Sequence, residues 1–386
     1  MESIERIKQD IIASADEKRT EFEETSSYIF NHPELAFEEY KSQAALCELL
    51  LKHGFNVTKG VGSLPTAFEA VYDSGKPGKT VVLMGEYDCL PEIGHGCGHN
   101  LIGTSAAGAG IVLKEAMEKY GIGGILKVLG TPAEENGSGK AVMVREGVFK
   151  GVDAALLMHP METSVPDDIS FACVTMEFAF KGKPAHAAAC PWNGANALSG
   201  VQLMFHAVDM MRLHFKDYSR VHGIITEGGT AHNTVSDEAK AVFNIRALDY
   251  EYMMELVEII RNCAKGAAIA TGTEVEEKQL GEILKDIRND KKLVQYVRSN
   301  MELIGEDYIE RDLTQGIGST DVGNVTHEIP SIQFYVKLKE NVGTHTREFA
   351  LASGGEEGKK NLHTSVQLLA LSACDVLMEA IDGGNK

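Results

Sequence analysis

The chain has 386 residues, of which 44% are hydrophobic and 24% are charged, and its formal net charge is −19. This length predicts two or three domains, and the composition is that of an ordinary soluble globular protein. The acidic balance disfavours nucleic acid as a partner, because phosphate binding needs clustered Lys and Arg. We find no run of about 18 apolar residues and no signal-like first segment, so no membrane segment is expected.

Seven cysteines are scattered along the chain. An odd number of cysteines in a long chain fits free thiols better than a disulfide framework, and free thiols are typical of a reducing compartment. We therefore expect a cytoplasmic protein. Cys97 differs from the other six, because a His follows it two positions later in a glycine-rich segment.

The first part of the chain alternates helix-like and strand-like segments. In chain order these are a charged helix over residues 3–31, a helix at Lys41–His53, strands at Thr80–Gly85, Gly124–Gly130 and Ala154–Met158, and helices between these strands at Leu101–Tyr120 and Gly139–Glu146. Short apolar strands separated by helices predict an α/β layer fold with a largely parallel sheet.

The pattern changes near Asp168 and returns near Lys285. Between them we predict half-exposed strands at Ser170–Lys181 and Ala239–Asp249 and helices at Ala195–Phe215 and Glu251–Ala267. After them we predict a helix at Asp290–Leu303, a strand at Ser331–Val336 and a closing helix from Gly355 to Ala380. The fold class is thus α/β with two domains: an α/β/α domain with a mostly parallel sheet (1–168 and 284–386), interrupted by an α+β domain (169–283).

The segment Gly94–Leu101 holds a compact pair of metal ligands. Cys97 and His99 supply a thiolate and an imidazole, which suit Zn²⁺ and similar first-row metals, and the surrounding glycines allow the tight turn that aims both at one ion. A glycine loop that carries a Cys and a His by coincidence is the alternative. A single Cys-x-His motif leaves both interpretations open.

Three further places supply ligands of the same kind. Glu134 and Glu135 follow a predicted strand, His159 closes the next one, and His345 lies in a polar loop after a third. Each has an ordinary alternative, such as a solvated turn or a strand terminator. Because the carboxyl ends of parallel strands meet at one edge of a sheet, their joint placement favours a single site.

Five motifs in this order carry a family resemblance. They are Cys97-Gly98-His99-Asn100, Glu134-Glu135, Met158-His159-Pro160, Gly318-Ser319-Thr320-Asp321 and Gly343-Thr344-His345-Thr346. Over nearly the whole chain they resemble the M20 family of metallopeptidases and amidohydrolases. The Cys-bearing motif resembles the aminoacylase-like and aminobenzoyl-glutamate hydrolase-like branch of that family.

The resemblance implies a two-metal catalytic domain and a smaller lid or dimerisation domain. By motif match it implies that the ligands of two divalent ions are Cys97, His99, Glu135, His159 and His345, with Cys97 as the bridge. It also implies that Glu134 is the catalytic base. The ligand types accept Zn²⁺, Mn²⁺ or Co²⁺, so they leave the identity of the metal open.

The resemblance also implies roles for four other residues. Asp88 resembles the acidic position that orients a metal-bound imidazole, and a surface turn is its alternative. His186, in Gly182-Lys183-Pro184-Ala185-His186-Ala187, resembles the lid His that reaches the partner subunit's active site and stabilises an oxyanion; a strand-turn cap is its alternative. Asn233 and Arg246 would anchor a substrate carboxylate, although an Arg on an alternating strand is often only solvated.

The function expected from these motifs is metal-dependent hydrolysis of a small amide or peptide substrate that carries a free carboxylate. An N-acyl amino acid, an aminobenzoyl-glutamate-like conjugate or a dipeptide would fit, and a homodimer or a higher homo-oligomer is expected. A non-catalytic homologue that binds metal or peptide is the alternative. A zinc-dependent oxidoreductase is disfavoured because Gly94–Gly98 lacks the Gly-x-Gly-x-x-Gly arrangement.

Overall fold

The computed structural model describes residues 3–314 and 316–382, which form two compact units. The first unit takes the described residues of Met1–Ile169, Ile287–Gly316 and Thr320–Lys386, and the second takes Ser170–Asp286 and Ile317–Ser319. Residues 1, 2, 315 and 383–386, which belong to the catalytic domain predicted from the sequence, lie outside the described residues. The predicted role of residues 169–283 as a lid or dimerisation domain stays a prediction.

The described residues contain ten strands and twelve α-helices. The strands are Asn56–Lys59 (β1), Phe68–Asp73 (β2), Thr80–Gly85 (β3), Ile125–Gly130 (β4), Ala154–Met161 (β5), Ala172–Lys181 (β6), Arg220–Glu227 (β7), Glu238–Ala247 (β8), Glu274–Leu284 (β9) and Ser331–Lys337 (β10). The helices are Ile4–Glu17 (α1), Arg19–Asn31 (α2), Tyr40–Lys52 (α3), His99–Tyr120 (α4), Glu134–Gly137 (α5), Gly139–Arg145 (α6), Ala197–Met211 (α7), Tyr250–Thr271 (α8), Lys291–Ile304 (α9), Val322–Thr326 (α10), Arg347–Ser353 (α11) and Glu356–Asp382 (α12).

The sheet of the first unit has the strand order β1-β2-β4-β3-β5-β10. Strand β3 pairs in parallel with β4 and β5, and β10 pairs in parallel with β5, whereas β1 and β2 pair antiparallel at one side. The central strand β3 is buried over almost its whole length and is rich in β-branched and apolar residues. Such a continuous apolar run is typical of a parallel strand covered on both faces.

Helix α4 crosses the middle of this sheet and also packs on α12. Its side chains are buried from His99 to Leu113, all around the helix, as expected for a helix enclosed on all sides. Small residues let the helix come close to the strands: a Cβ on Gly103 would lie 2.8 Å from the Glu86 carbonyl oxygen. The loop after β3 is therefore held directly against α4.

The second unit has its own antiparallel sheet, in the order β7-β8-β6-β9. Strand β8 alternates buried and partly exposed side chains along its length, which is the pattern of a sheet covered on one face. Helices α7 and α8 pack on β6 and β8, and their apolar residues form a core separate from that of the first unit.

The predicted fold class is confirmed, since the chain is mixed α/β with a mostly parallel sheet. Several element predictions were wrong in detail. The predicted helix over residues 3–31 is two helices that meet at Lys18, and four short or exposed strands (β1, β2, β7 and β9) were missed. No helix in the described part of the chain is long and apolar enough to cross a membrane.

Replacing Gly103 with Ala is expected to destabilise the first unit. The new Cβ would lie 2.8 Å from the Glu86 carbonyl oxygen and 3.0 Å from Leu46 Cδ1, and overpacking of this kind costs about 1–3 kcal/mol. Circular dichroism during heating should show a lower unfolding temperature for Gly103→Ala.

The matched control is Gly266→Ala, another glycine inside a long helix. A Cβ on Gly266 would meet no atom within 4 Å, so the substitution should be neutral or stabilise by up to about 1 kcal/mol through helix propensity. An unfolding temperature of Gly103→Ala equal to or above that of Gly266→Ala would contradict the steric argument.

Candidate metal centre

The candidate site lies where the parallel strands β3, β4 and β5 end. Gly85, the last residue of β3, pairs with Gly130 at the end of β4, and the Thr131 N–H donates to the Gly85 carbonyl oxygen over 2.8 Å. The chain continues from β3 into Asp88 and from β4 into Glu134. The carboxyl ends of neighbouring parallel strands thus bring these acidic side chains to one edge of the sheet.

The turn before α4 needs a glycine at position 98. Gly98 has φ +71°, and a Cβ there would lie 2.7 Å from Pro160 Cγ. Left-handed backbone at a site of close approach favours glycine. This turn places Cys97 and His99 on either side of Gly98, beside the His159-Pro160 pair at the end of β5.

The five predicted ligands form two groups that share Cys97. In the first, one potential ligand atom each from Cys97, His99 and His159 lies within 4.8 Å of the others. In the second, the same holds for Cys97, Glu135 and His345. The structure therefore brings all five predicted ligands together, with the thiol common to both groups.

Hydrogen bonds orient the imidazoles and Glu135. His99 Nδ1 lies 2.9 Å from Asp88 Oδ1, and His159 Nδ1 lies 2.7 Å from the Pro160 carbonyl oxygen. Asp88 Oδ2 also accepts the backbone N–H of Glu135 over 3.0 Å. With carboxylate and carbonyl partners on Nδ1, Nε2 is the atom of each ring that could bind a metal ion. Asp88, predicted to orient a ligand, does contact His99.

The donor set fits divalent metal ions. His99 Nε2 and Glu135 Oε1 are buried and have no hydrogen-bond partner among the described residues, and a buried polar atom without a partner is costly unless another group satisfies it. Burial lowers the pKa of His159 to about 4, so its ring is neutral and can act as a ligand. Thiolate, imidazole and carboxylate together suit first-row metals.

Glu134 lies beside the ligands. It opens the short helix α5, and one of its carboxylate oxygens lies within 4.8 Å of ligand atoms of His99 and Glu135. Burial raises its pKa well above the ordinary range, and the nearby Glu86 and Asp321 raise it further. A raised pKa makes the ionised form of a carboxyl group a stronger base, which suits proton transfer beside a metal site.

A buried ion cluster behind Glu134 was missed in the sequence. Lys140 Nζ lies 2.6 Å from Glu86 Oε1 and 2.5 Å from Asp321 Oδ1, and none of these three side chains has more than 1% of its surface exposed. Asp321 belongs to a motif that carries the family resemblance, but no role was predicted for it. The position of Glu86 two residues before Asp88 at a strand end was the available signal.

Another buried carboxyl, also missed, supports the loop that carries Glu134. Glu39 Oε1 accepts the backbone N–H of Ala133 over 2.9 Å. Burial raises the pKa of Glu39 to about 7. Because Ala133 has φ +61° and is not a glycine, this contact holds a strained residue directly before Glu134.

The other three predicted site residues belong to the second unit. The backbone N–H groups of Ala188 and Ala189 donate to His186 Nδ1, each over 3.2 Å. Asn233 lies on the adjacent loop, where its carbonyl oxygen accepts the Ala187 N–H over 3.0 Å. His186 and Asn233 are thus neighbours on exposed loops of this unit.

Arg246 is held on β8 by two hydrogen bonds. Its Nε donates to Asn244 Oδ1 over 2.8 Å, and its Nη1 donates to Ser319 Oγ over 3.3 Å. The side chain is half-buried. Arg246 is therefore fixed in direction rather than simply solvated, which was the alternative considered from the sequence.

The edge of the parallel sheet thus gathers thiol, imidazole and carboxylate groups that could hold metal ions, next to a further carboxyl group. Residues 82–366 match the model of peptidase family M20/M25/M40, and this chain belongs to that family. The family resemblance read from the motifs is thereby confirmed. The chain is a hydrolytic enzyme of the amidohydrolase and peptidase type.

Two curated relatives match over most of the chain. It is 35% identical over 382 residues to one of the p-aminobenzoyl-glutamate hydrolase subunits of Escherichia coli, covering 93% of this chain and 74% of the relative. It is 31% identical over 390 residues to the Xaa-Arg dipeptidase of Mus musculus, covering 97% of this chain and 90% of the relative.

A solved structure shares the fold. It is a dinuclear metal-binding peptidase of the M20 family from Bacillus subtilis, with a TM-score of 0.75 and 19% sequence identity, covering 95% of this chain and 99% of that one. The likeness in fold agrees with the two-unit architecture.

Replacing Cys97 with Ser should weaken metal binding. Because Cys97 is common to both ligand groups, the loss of its thiol would affect both candidate metal positions. A serine hydroxyl is a poorer ligand for soft or borderline metals. We expect at least about tenfold weaker binding of Zn²⁺ or Mn²⁺ by isothermal titration, with fewer than two ions retained per chain by elemental analysis.

Cys89→Ser is the matched control, since Cys89 is also buried, with 4% of its surface exposed, but is absent from both ligand groups. It should bind metal as the unaltered protein does. Equal affinity and stoichiometry of Cys97→Ser and Cys89→Ser would show that Cys97 is a structural thiol.

Proposed function

We propose that this chain is a two-metal amide hydrolase for small substrates with a free carboxylate. N-acyl amino acids, aminobenzoyl-glutamate-like conjugates and dipeptides are the substrate classes. The names of the two curated relatives support this range, since one belongs to a p-aminobenzoyl-glutamate hydrolase and the other is a dipeptidase. Membership of the M20 family supports amide hydrolysis as the reaction.

The observation that carries the proposal is the double use of Cys97. Its thiol forms one group with His99 and His159 and a second group with Glu135 and His345. A ligand that belongs to two three-residue groups is suited to bridge two ions. Cys97, His99, Glu135, His159 and His345 would hold the pair, which we infer to be Zn²⁺ or Mn²⁺, with Co²⁺ also compatible.

When bound, two divalent ions at these ligands supply Lewis-acid chemistry, which acidifies water and polarises an amide carbonyl. Glu134 accepts the proton of the attacking water at its carboxylate and then delivers it to the nitrogen of the leaving amine. Its neighbour Glu135 would serve as a metal ligand, and Asp88 holds the chain there by accepting the Glu135 backbone N–H. Adjacent glutamates thus take separate tasks.

Arg246 and Asn233 would bind the substrate carboxylate. A guanidinium forms strong, directional hydrogen bonds with a carboxylate. The contacts of Arg246 with Asn244 and Ser319 support this role, because they fix the guanidinium before a substrate arrives. Asn233, on the exposed loop beside His186, would donate its side-chain amide to the same group.

His186 would act in a homodimer or a higher homo-oligomer, on the oxyanion formed in the partner subunit's site. Because His186 Nδ1 accepts two backbone N–H groups, a neutral ring carries its proton on Nε2. That exposed Nε2–H is the donor an oxyanion needs.

The predicted cytoplasmic location stays a prediction, supported by seven cysteines without a disulfide.

The proposal is tested with a substrate panel. Protein reconstituted with Zn²⁺, Mn²⁺ or Co²⁺ is incubated with N-acetyl amino acids, dipeptides and aminobenzoyl-glutamate, and the release of free amine is followed. Hydrolysis of members with a free carboxylate is expected, and the corresponding carboxamides should be poor substrates because Arg246 then has no anion to bind.

Two outcomes of the panel would count against the proposal. No hydrolysis with any of the three metals would favour the alternative of a non-catalytic homologue that binds metal or peptide. Equal rates for acids and carboxamides would remove Arg246 from substrate recognition. Arg246→Ala should raise KM for the acids alone. The control Arg261→Ala, at an exposed ion pair of the same unit, should leave the rates for acids and carboxamides unchanged.

Glu134→Gln should abolish most of the turnover while metal binding persists. The amide keeps the size of the side chain but cannot take the proton of water, so a loss in kcat of about 10³-fold is expected. Elemental analysis should still find about two ions per chain, because Glu134 is not a ligand in this assignment.

Glu146→Gln is the matched control on the same segment, since Glu146 is an exposed residue at the end of α6. Its kcat should equal that of the unaltered enzyme. If Glu134→Gln retained full activity, or lost metal in proportion to activity, Glu134 would not be the base.

A further inference from the structure

Lys140 is a fully buried lysine to which the proposed mechanism gives no task. It lies in the first turn of α6 with none of its side chain exposed. Its ammonium contacts Glu86 and Asp321, and its backbone N–H donates to Asp321 Oδ2 over 2.8 Å. Asp321 therefore binds Lys140 twice, once through the side chain and once through the backbone.

The carboxylates around this ammonium reach the candidate site. Glu86 Oε2 lies 3.5 Å from His99 Nε2. One oxygen each of Glu86, Glu134 and Asp321 lies within 4.8 Å of the others. Three ionised carboxylates this close would repel one another strongly in a buried place, and either a bound proton or a nearby cation relieves that repulsion.

Lys140 supplies that cation. The distances among the three carboxylates would also suit a metal ion, but the Lys140 ammonium already lies 2.6 Å from Glu86 and 2.5 Å from Asp321. An ammonium has three donors and no acceptor, so it matches carboxylate partners. The position behind Glu134 is thus filled by a covalently attached charge, which remains whether or not metal is bound.

We propose that Lys140 is a positioning residue for amide hydrolysis, whose ammonium clamps Glu86 and Asp321 behind Glu134. With these two carboxylates anchored by the ammonium, their fixed positions limit how far the Glu134 side chain can turn back into the cluster and direct it toward the ligands. The clamp also fixes Glu86 beside His99. This inference rests on the proposed function, in which Glu134 is the base, and Lys140 itself does not touch the reacting atoms.

The main test compares Lys140→Met with the unaltered enzyme. Met fills similar space without the charge, so Glu134 should lose its direction while the ligands stay. We expect kcat to fall about 100-fold, as for a small misplacement of a reacting group, with KM changed by less than about threefold and with unchanged metal content. The control is Lys150→Met, at an exposed lysine just after α6. It should match the unaltered enzyme in kcat, KM and metal content.

The double variant Lys140→Met/Asp321→Asn guards against a loss that comes only from misfolding. Removing one partner of a buried ion pair leaves the other unpaired, and removing both relieves that penalty. The double variant should therefore unfold at a higher temperature than Lys140→Met and still show the reduced kcat. Recovery of full kcat in the double variant would overturn the proposal.

Crystal structures of the metal-free proteins provide a readout that does not depend on activity. In Lys140→Met, the Glu86 and Glu134 carboxylates should shift by about 1 Å or more from their positions in the unaltered protein. Unchanged positions would overturn the proposal even if no substrate were known. If the unaltered enzyme were inactive on the whole substrate panel, that result would count against the proposed function alone. The crystal structures would still test the role of Lys140, because they report the carboxylate positions directly.

Discussion

The parallel pairing of β3 with β4 and β5 is the constraint on which the candidate site depends. It aligns the ends of three strands. The loops that follow β3, β4 and β5 therefore begin at the same edge, although helices separate them along the chain. A shift of one residue in this register would move the end of one strand by about 3.3 Å along its neighbour and displace the loop that follows it. The buried apolar side chains of β3 resist such a shift, and the core thereby positions the polar residues that follow it.

Sequence reasoning found the parts of the structure that have a local signal. Apolar strands followed by ligand-type residues predicted β3, β4 and β5 and placed Glu134, Glu135 and His159 at the ends of two of them. The full set of five ligands was implied by the family resemblance that the motifs carry. The exposed edge strands β1 and β7 lacked such a signal, since few of their residues are buried. An edge strand takes its structure from its neighbour in the sheet, and a pattern read along one segment does not contain that neighbour.

Lys140, Asp321 and Glu39 were missed for a related reason. Lys140 and Asp321 are 181 positions apart in the chain, and Glu39 lies 94 positions before its partner Ala133. Charged residues are mostly exposed, so each of them alone predicts a solvated side chain. Their burial follows from tertiary packing, in which each charge or polar group finds its partner on a distant segment.

The backbone at the site indicates that this packing imposes the geometry of the loops. Ala133 has φ +61° and His345 has φ +63°, values that non-glycine residues adopt at a cost of about 1 kcal/mol or more. Both are held by specific hydrogen bonds: Glu39 accepts the Ala133 N–H, and the Gly96 carbonyl oxygen accepts the His345 N–H over 2.9 Å. Ala133 directly precedes Glu134, the proposed base, and Gly96, the partner of His345, directly precedes Cys97. The strained residues therefore lie beside, or are bonded to a neighbour of, the side chains that the proposed mechanism uses. These hydrogen bonds and the surrounding packing hold the two residues in backbone conformations that cost free energy.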